Sequence, residues 1–432
     1  MAMMSHSKIT TPVPLATSGP DSILSFARLY GYTIHMARLH QSGFELNSLT
    51  SNVEWSTLAT TGASITTAAA RSGSYGLRLS GLTSTTAAGA LYTFTAASVA
   101  GPLFLRININ IQTLPGASNH IISFNSATGT VGGSEEAKIT LETDGTLVLR
   151  SSAGTQIGSA SAALSTGRWY MIDLKIDANA TNGSRTIEGR LEGSMFATSS
   201  AQTMNKVVAY SVGANLDSEA NTTGEWWFDD IALNDSTGSF QTSYPGQGKI
   251  LHLKPNATGD VNTFSGANGG TAGASNNFTR VNDVPPDSTS YNTSNTLNNE
   301  DLFNVDDSGI AATDTVNVVM VGVRLRNTAT ASDTTAIKVE IEKTSGGTIA
   351  QGTSIVPTTT SFVLNSTASP HNYTLITYQD PDSGNWTKTT LDSMQIGYKL
   401  TATGTSTIDI TALWSSVDFT PSNGSATSWW KA

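Results

Sequence analysis

The 432-residue chain has no cysteine. Disulfides and thiolate metal sites are therefore excluded. Charge is scarce as well: 13% of residues are Asp, Glu, Lys or Arg, against roughly a quarter in ordinary globular proteins. The balance is acidic, with 23 basic and 33 acidic side chains. No basic stripe interleaves with aromatics, so nucleic acid is not expected as a partner. Long apolar runs are missing too. The longest, residues 318–323, is far short of the roughly 20 residues that span a bilayer as a helix. The N-terminus shows no basic segment followed by an apolar run, so no signal peptide is expected. A soluble chain without membrane insertion is the expectation.

Solvation falls instead to Ser, Thr, Asn, Gly and Ala, while eight Trp and regularly spaced apolar residues supply cores. The length accommodates two domains, with three as the upper end. Alternation is the dominant pattern. Leu103, Leu105, Ile107, Ile109 and Ile111 share one face of a strand, with Arg106, Asn108 and Asn110 on the other. Tyr170, Ile172, Leu174 and Ile176 oppose Asp173 and Lys175. Ile139 and Leu141 pass through Asp144-Gly145 to Leu147 and Leu149, a hairpin signal. Many strands without a long helical period predict an all-β chain. The expected fold is two antiparallel β-sandwich (jelly-roll) domains in tandem, with an N-terminal arm.

The densest stretch is Glu225-Trp226-Trp227-Phe228-Asp229-Asp230-Ile231-Ala232-Leu233. It reads as the last strand of the first domain. Simple alternation puts Trp227, Asp229, Ile231 and Leu233 on one face, unless a bulge shifts the count. The organisation that follows is an arm at 1–43, a first sandwich at 44–235 and a linker at 236–248. A second sandwich at 249–421 and a tail at 422–432 complete it. In the second sandwich Val319, Val321, Val323 and Leu325 share a face while Val316, Val318 and Met320 share the other. Apolar character on both faces predicts a central strand or one covered by a neighbour. Residues 386–394 carry the only helical turn expected there.

Three segments carry a resemblance. Ala70-Arg71-Ser72-Gly73-Ser74-Tyr75-Gly76-Leu77-Arg78-Leu79 resembles the early strand of concanavalin A-like, laminin G-like jelly rolls. Gly167-Arg168-Trp169-Tyr170-Met171-Ile172-Asp173-Leu174 is similar to an inner strand of that superfamily, and Trp227-Phe228-Asp229-Asp230-Ile231 to its last one. The second half resembles a domain recurrent in tailed-bacteriophage virion proteins. There the matching residues are Val281-Asn282-Asp283-Val284-Pro285-Pro286-Asp287-Ser288-Thr289-Ser290-Tyr291, and Asp380-Pro381-Asp382-Ser383-Gly384-Asn385-Trp386-Thr387 leading to Gly397. The resemblance implies a structural protein of a phage particle (capsid decoration, neck, tail or fibre), made in the host cytoplasm and located in the virion. Its implied partners are copies of itself and other virion proteins, with a host-surface glycan as a further one. A carbohydrate-binding adhesin is the alternative, and a polysaccharide depolymerase a distant second.

Candidate site residues follow from these readings. A glycoside hydrolase on such a sandwich needs two carboxylates flanking one sugar bond, and the Glu-x-Asp-x-x-Glu pattern is absent. Glu188, Arg190 and Glu192 read as an exposed ion-pair face. No nucleophile elbow, His-Glu-x-x-His, phosphate loop or dinucleotide fingerprint occurs, so the expectation is that the chain is not an enzyme and has no catalytic residues. No motif demands a cofactor. Related sandwiches hold one Ca²⁺, which takes six to eight hard oxygens, and Asp217, Asp229, Asp230 and Asn234 are the ligand candidates. Equally, an inward Asp can be satisfied by backbone N–H groups, and both readings stand open here. Trp55, Tyr92 and Trp226 are candidates to stack on sugar rings. Phe26, Tyr30, Tyr32 and Met36 of the arm, with Trp429 and Trp430 of the tail, are candidate assembly contacts.

Overall fold

The computed structural model describes residues 37–82, 87–94, 101–177, 182–214, 216, 223–266, 273, 275–329, 333–364 and 373–422. The assembly candidates Phe26, Tyr30, Tyr32, Met36, Trp429 and Trp430, and the metal candidate Asp217, lie outside the described residues. The chain is nearly all β, as its alternation predicts. Among the described residues four antiparallel sheets form two sandwich-like pairs.

Sheet A runs Ser194–Thr198, Ile187–Leu191, Trp169–Ile176, Leu103–Thr113, Glu225–Asn234, Gly76–Leu79, Ala63–Thr66. Arg38–Ser42 pairs with the second half of Glu225–Asn234, so the end of the stretch read as an arm is a strand of this sheet. Sheet B runs Gln156–Ile157, Leu147–Ser151, Glu135–Leu141, Asn119–Asn125, Ala209–Ala214, Ala88–Thr93, Thr57–Ala59. Between A and B lies one core, to which Leu105, Ile107, Ile109, Ile122, Ile139, Ile172 and Val212 contribute. The hairpin expected at Asp144-Gly145 joins Glu135–Leu141 to Leu147–Ser151, and Gly145 supplies the positive φ of its turn (85°).

Sheet C is built on two 13-residue strands, Thr315–Asn327 and Ile408–Thr420, paired along their length. Lys249–Leu253 adds to the second of these. Sheet D runs Pro255–Asn262, Glu300–Val305, Gln395–Ala402, Ala336–Glu342, Ile349–Gln351. Val319, Val321, Val323 and Leu325 face Ile337, Val339, Ile341 and Ile396 across the second core. A single-turn helix, Lys388–Ser393, lies within the stretch expected to be helical, capped by Thr387.

The other face of Thr315–Asn327 is apolar because the first sandwich covers it. Val318, Met320, Ile376 and Trp414 pack against Leu46 and Val53 in a third core, whereas Val316, expected on the same face, is carried into the second core by a register slip between Val316 and Val318. The backbone joins there too, with Leu364 N donating to Asn52 O (3.2 Å). An apolar seam of this kind fixes two domains more firmly than the polar contacts usual between domains of one chain.

Glu225–Asn234 departs from plain alternation. Its register against Leu103–Thr113 slips between Asp229 and Ala232, and Asp230 takes φ +52°. This is a bulge. It changes which residues face inward: Trp226 and Phe228 before it, Ile231 and Leu233 after it, all enter the first core. Trp227 is turned out of that set, with its indole N–H donating to Glu225 Oε1 (2.8 Å). The face assigned by alternation to Trp227, Asp229, Ile231 and Leu233 is thus corrected by one extra residue.

Candidate functional site

The bulge places both carboxylates of Asp229 and Asp230 at the seam between the sandwiches, each fully buried. Asp229 Oδ2 accepts from the backbone N–H groups of Arg71 (2.7 Å) and Ser72 (3.1 Å). Its Oδ1 accepts from Asp230 N (2.7 Å). Asp230 Oδ2 takes the Arg71 guanidinium (2.5 Å). Asp230 Oδ1 takes the Ser72 hydroxyl (2.5 Å) and Ile250 N (2.6 Å), the latter from the second sandwich. Burial pushes the Asp229 carboxyl above the usual carboxylate range, and the adjacent Asp230 adds to the rise. The hydrogen bonds from Ser72 and Arg71 oppose it.

A second knot lies beside the first. Asp418 Oδ2, on Ile408–Thr420, accepts from Arg38 Nη1 (2.8 Å) and Arg106 Nη2 (3.3 Å), with all three side chains fully buried. Arg38 Nε donates to Asn234 Oδ1 (2.6 Å), and Gln41 Nε2 to Ser416 Oγ (3.0 Å). The stretch read as a linker is held at the same place: Gly246 O accepts from Arg106 (3.0 Å) and Gly248 O from Arg71 (3.0 Å). Gly248 has to be glycine, since a Cβ there would collide with the Arg106 guanidinium and the Asp418 carboxylate.

Asp229, Asp230 and Asn234, proposed from sequence as Ca²⁺ ligands, are thereby all engaged with protein donors or acceptors. Among the described residues no group of three or more His, Asp or Glu is arranged to hold a metal ion. The sugar-stacking candidates are corrected. Trp55, Tyr92 and Trp226 are 1%, 0% and 0% exposed, so no ring face is open to a ligand. Trp226 fills the first core. Tyr92 stacks on His40 at 3.7 Å, and Trp55 meets the same imidazole edge-on at 4.9 Å. Arg190 pairs with Glu188 (2.5 Å) as the ion-pair reading expects, while Glu192 instead accepts from Met171 N (2.9 Å).

Sequence reasoning missed the open part of the seam. A cavity of about 320 Å³ lies between the sandwiches, lined by Glu45, Leu46, Ser74 and Tyr75 from the first. From the second come His252, Lys254, Asp283, Asp306 and Trp414, among others. Glu45 orders its wall by accepting from Ser74 N (2.9 Å) and Tyr75 N (3.1 Å). In the lining the His252 side chain is 7% exposed, and neither ring nitrogen has a hydrogen-bond partner among the described residues. Its Nε2 lies 3.8 Å from Glu54 Oε1. Burial lowers the imidazole to about 3 and raises the Glu54 carboxyl to about 8. Both are therefore uncharged at neutral pH, and their contact is not an ion pair. Desolvation outweighs attraction here.

No protein-family model matches the chain, and no curated protein matches it. Solved structures do. The cellulose induced protein Cip1 aligns at 19% identity with a TM-score of 0.35, over 48% of this chain and 99% of its own. A carbohydrate esterase of the Shiga toxin-encoding bacteriophage phi24B aligns at 13% and 0.33, over 46% of this chain and 98% of its own. A Trypanosoma rangeli sialidase in complex with sialic acid aligns at 12% and 0.32, over 46% of this chain and 30% of its own. The sequence reading set enzymes aside. Sialidases and a carbohydrate esterase among the structural neighbours overturn that exclusion, and it is withdrawn. At 12–19% identity and TM-scores of 0.32–0.35 these likenesses assign no activity to this chain.

Two outcomes test the seam. Replacing Asp418 by Ala strands the Arg38 and Arg106 guanidinium groups, and urea denaturation should show a loss of about 3–5 kcal/mol, the usual cost of breaking a buried ion pair. The second concerns pH. The Glu54 carboxyl is neutral in the folded chain up to about 8 but ionises near its ordinary 4.5 when unfolded. Its contribution is complete below about 4.5 and is lost as pH rises through about 8. The melting temperature of Glu54→Gln relative to the parent should therefore climb between pH 5 and pH 8 (roughly the window set by linkage). A difference independent of pH contradicts the assignment.

Proposed function

We propose that the chain is a structural component of a tailed-bacteriophage particle, its first sandwich of the concanavalin A-like jelly-roll kind. It works as a rigid two-sandwich body that offers its outer faces to further copies, to other virion proteins and to the host surface. The observation that carries this reading is the seam. Two buried charge knots and an apolar core at the junction hold the sandwiches in one arrangement, which suits a part that must transmit position within an assembly. The virion-protein resemblance of residues 281–291 and 380–387 supports the same reading.

Adhesion to a host-surface glycan is the second reading. The seam cavity favours it, because it combines the Tyr75 ring with hydrogen-bonding groups at a domain junction, where ligand sites are common. Antibodies raised against the purified chain should decorate intact phage particles in immunogold electron micrographs. Labelling confined to lysate debris, with clean particles, contradicts the particle assignment.

A further inference from the structure

The seam cavity has a chemistry that narrows what it can hold. Three carboxylates, Glu45, Asp283 and Asp306, line it against the single ammonium of Lys254, and His252 is neutral at physiological pH. Phosphates, sulfates, sialic acids and uronic acids would meet a net negative wall. Lys254, Asp283 and Asp306 have no side-chain hydrogen bond or ion pair among the described residues; burial raises the Asp283 carboxyl above its ordinary value, Asp287 adds to the rise, and Lys254 opposes it. The volume of about 320 Å³ is at the small end of the roughly 300–1,000 Å³ range of ligand pockets. It admits a single six-membered ring with its substituents.

The groups present suit hydroxyls. A hydroxyl both donates and accepts, so it can satisfy Asp283 and Asp306 as acceptors, Lys254 as donor and the His252 imidazole in either role. The unpartnered, nearly buried imidazole is the independent sign that something polar belongs in the cavity. A buried ring with neither nitrogen bonded costs free energy. Tyr75 supplies aromatic surface to the same space, and the Trp414 indole, 1% exposed, lies against it as part of the third core.

We propose that this cavity binds one neutral or amino-bearing sugar residue of a glycan and discriminates against acidic sugars. The site rests on the adhesion reading above, and it would be formed only when both sandwiches are in place. Asp283 and Asp306 accept sugar hydroxyl or ammonium protons, and Lys254 donates to a ring or hydroxyl oxygen. The indole of Trp414, which lines the cavity, reports occupancy.

The test is tryptophan fluorescence of the full chain titrated with glucose, glucosamine, N-acetylglucosamine, glucuronate and N-acetylneuraminate. At least one of the first three should give a saturable change, while the two acidic sugars give none. Asp306→Asn and Lys254→Ala, both at half-buried or exposed positions, should each weaken that binding at least tenfold with melting temperature unmoved. Absence of saturable binding by all three non-acidic sugars overturns the proposal. So does preference for an acidic sugar, or wild-type binding by both variants. Particles that label with antibody while the chain ignores sugars would sink this site and leave the particle reading standing. Sugar binding by a chain absent from particles would do the reverse.

Discussion

The structure turns on one bulge. An extra residue at Asp229–Asp230 lets a strand keep Trp226 and Phe228 in the core on one side and Ile231 and Leu233 on the other. In the same stroke it swings two carboxylates to the seam, where they hold Arg71 and Ser72 and the first strand of the second sandwich. A left-handed Asp is uncommon and strained. The strain is sustained because Arg71, Ser72 and Ile250 all bind the Asp230 carboxylate. Remove the bulge and alternation would carry either the aromatics or Ile231 and Leu233 out of the core.

From that constraint the rest of the seam follows. Arg106 sits one strand over, opposite Ala232, and its guanidinium reaches the Asp230 carbonyl (3.1 Å), Gly246 and Asp418. Buried ion pairs stabilise little in net terms but are costly to break. Their effect here is specificity: only one approach of the second sandwich satisfies Arg38, Arg71 and Arg106 together. The apolar contacts of Leu46 and Val53 with Val318 and Met320 supply the attraction, and the charges select the geometry.

Much of the fold was legible in the sequence, because local alternation is enough to locate strands. The faces of 103–111 and 170–176 read correctly, as did the turn at Gly145. The two-sided apolar character of 316–325 announced a covered central strand, and Leu46 and Val53 are what cover it. The site was far less legible. Arg38 and Asp418 are separated by 380 positions, and nothing local in either segment pairs them. The one available signal was a charge inside an otherwise apolar strand: Arg106 among leucines and isoleucines, Asp418 between Val417 and Phe419. Trp55, Tyr92 and Trp226 misled as sugar-stacking candidates because sequence cannot separate an exposed ring from a core one. The cavity residues His252, Lys254, Asp283 and Asp306 come from different segments and carry no shared motif.

The central claim is that the two sandwiches form one rigid body through buried hydrogen bonds at the seam. Native-state hydrogen exchange on the backbone amides of Ile250 and Leu364 tests it most directly. These two N–H groups donate across the junction, to the Asp230 carboxylate and to Asn52 O, and should exchange only through global opening, as slowly as core amides such as that of Ile109. Fast exchange of the two, with the two cores still protected, would mean that the sandwiches separate in the native state and would contradict the account.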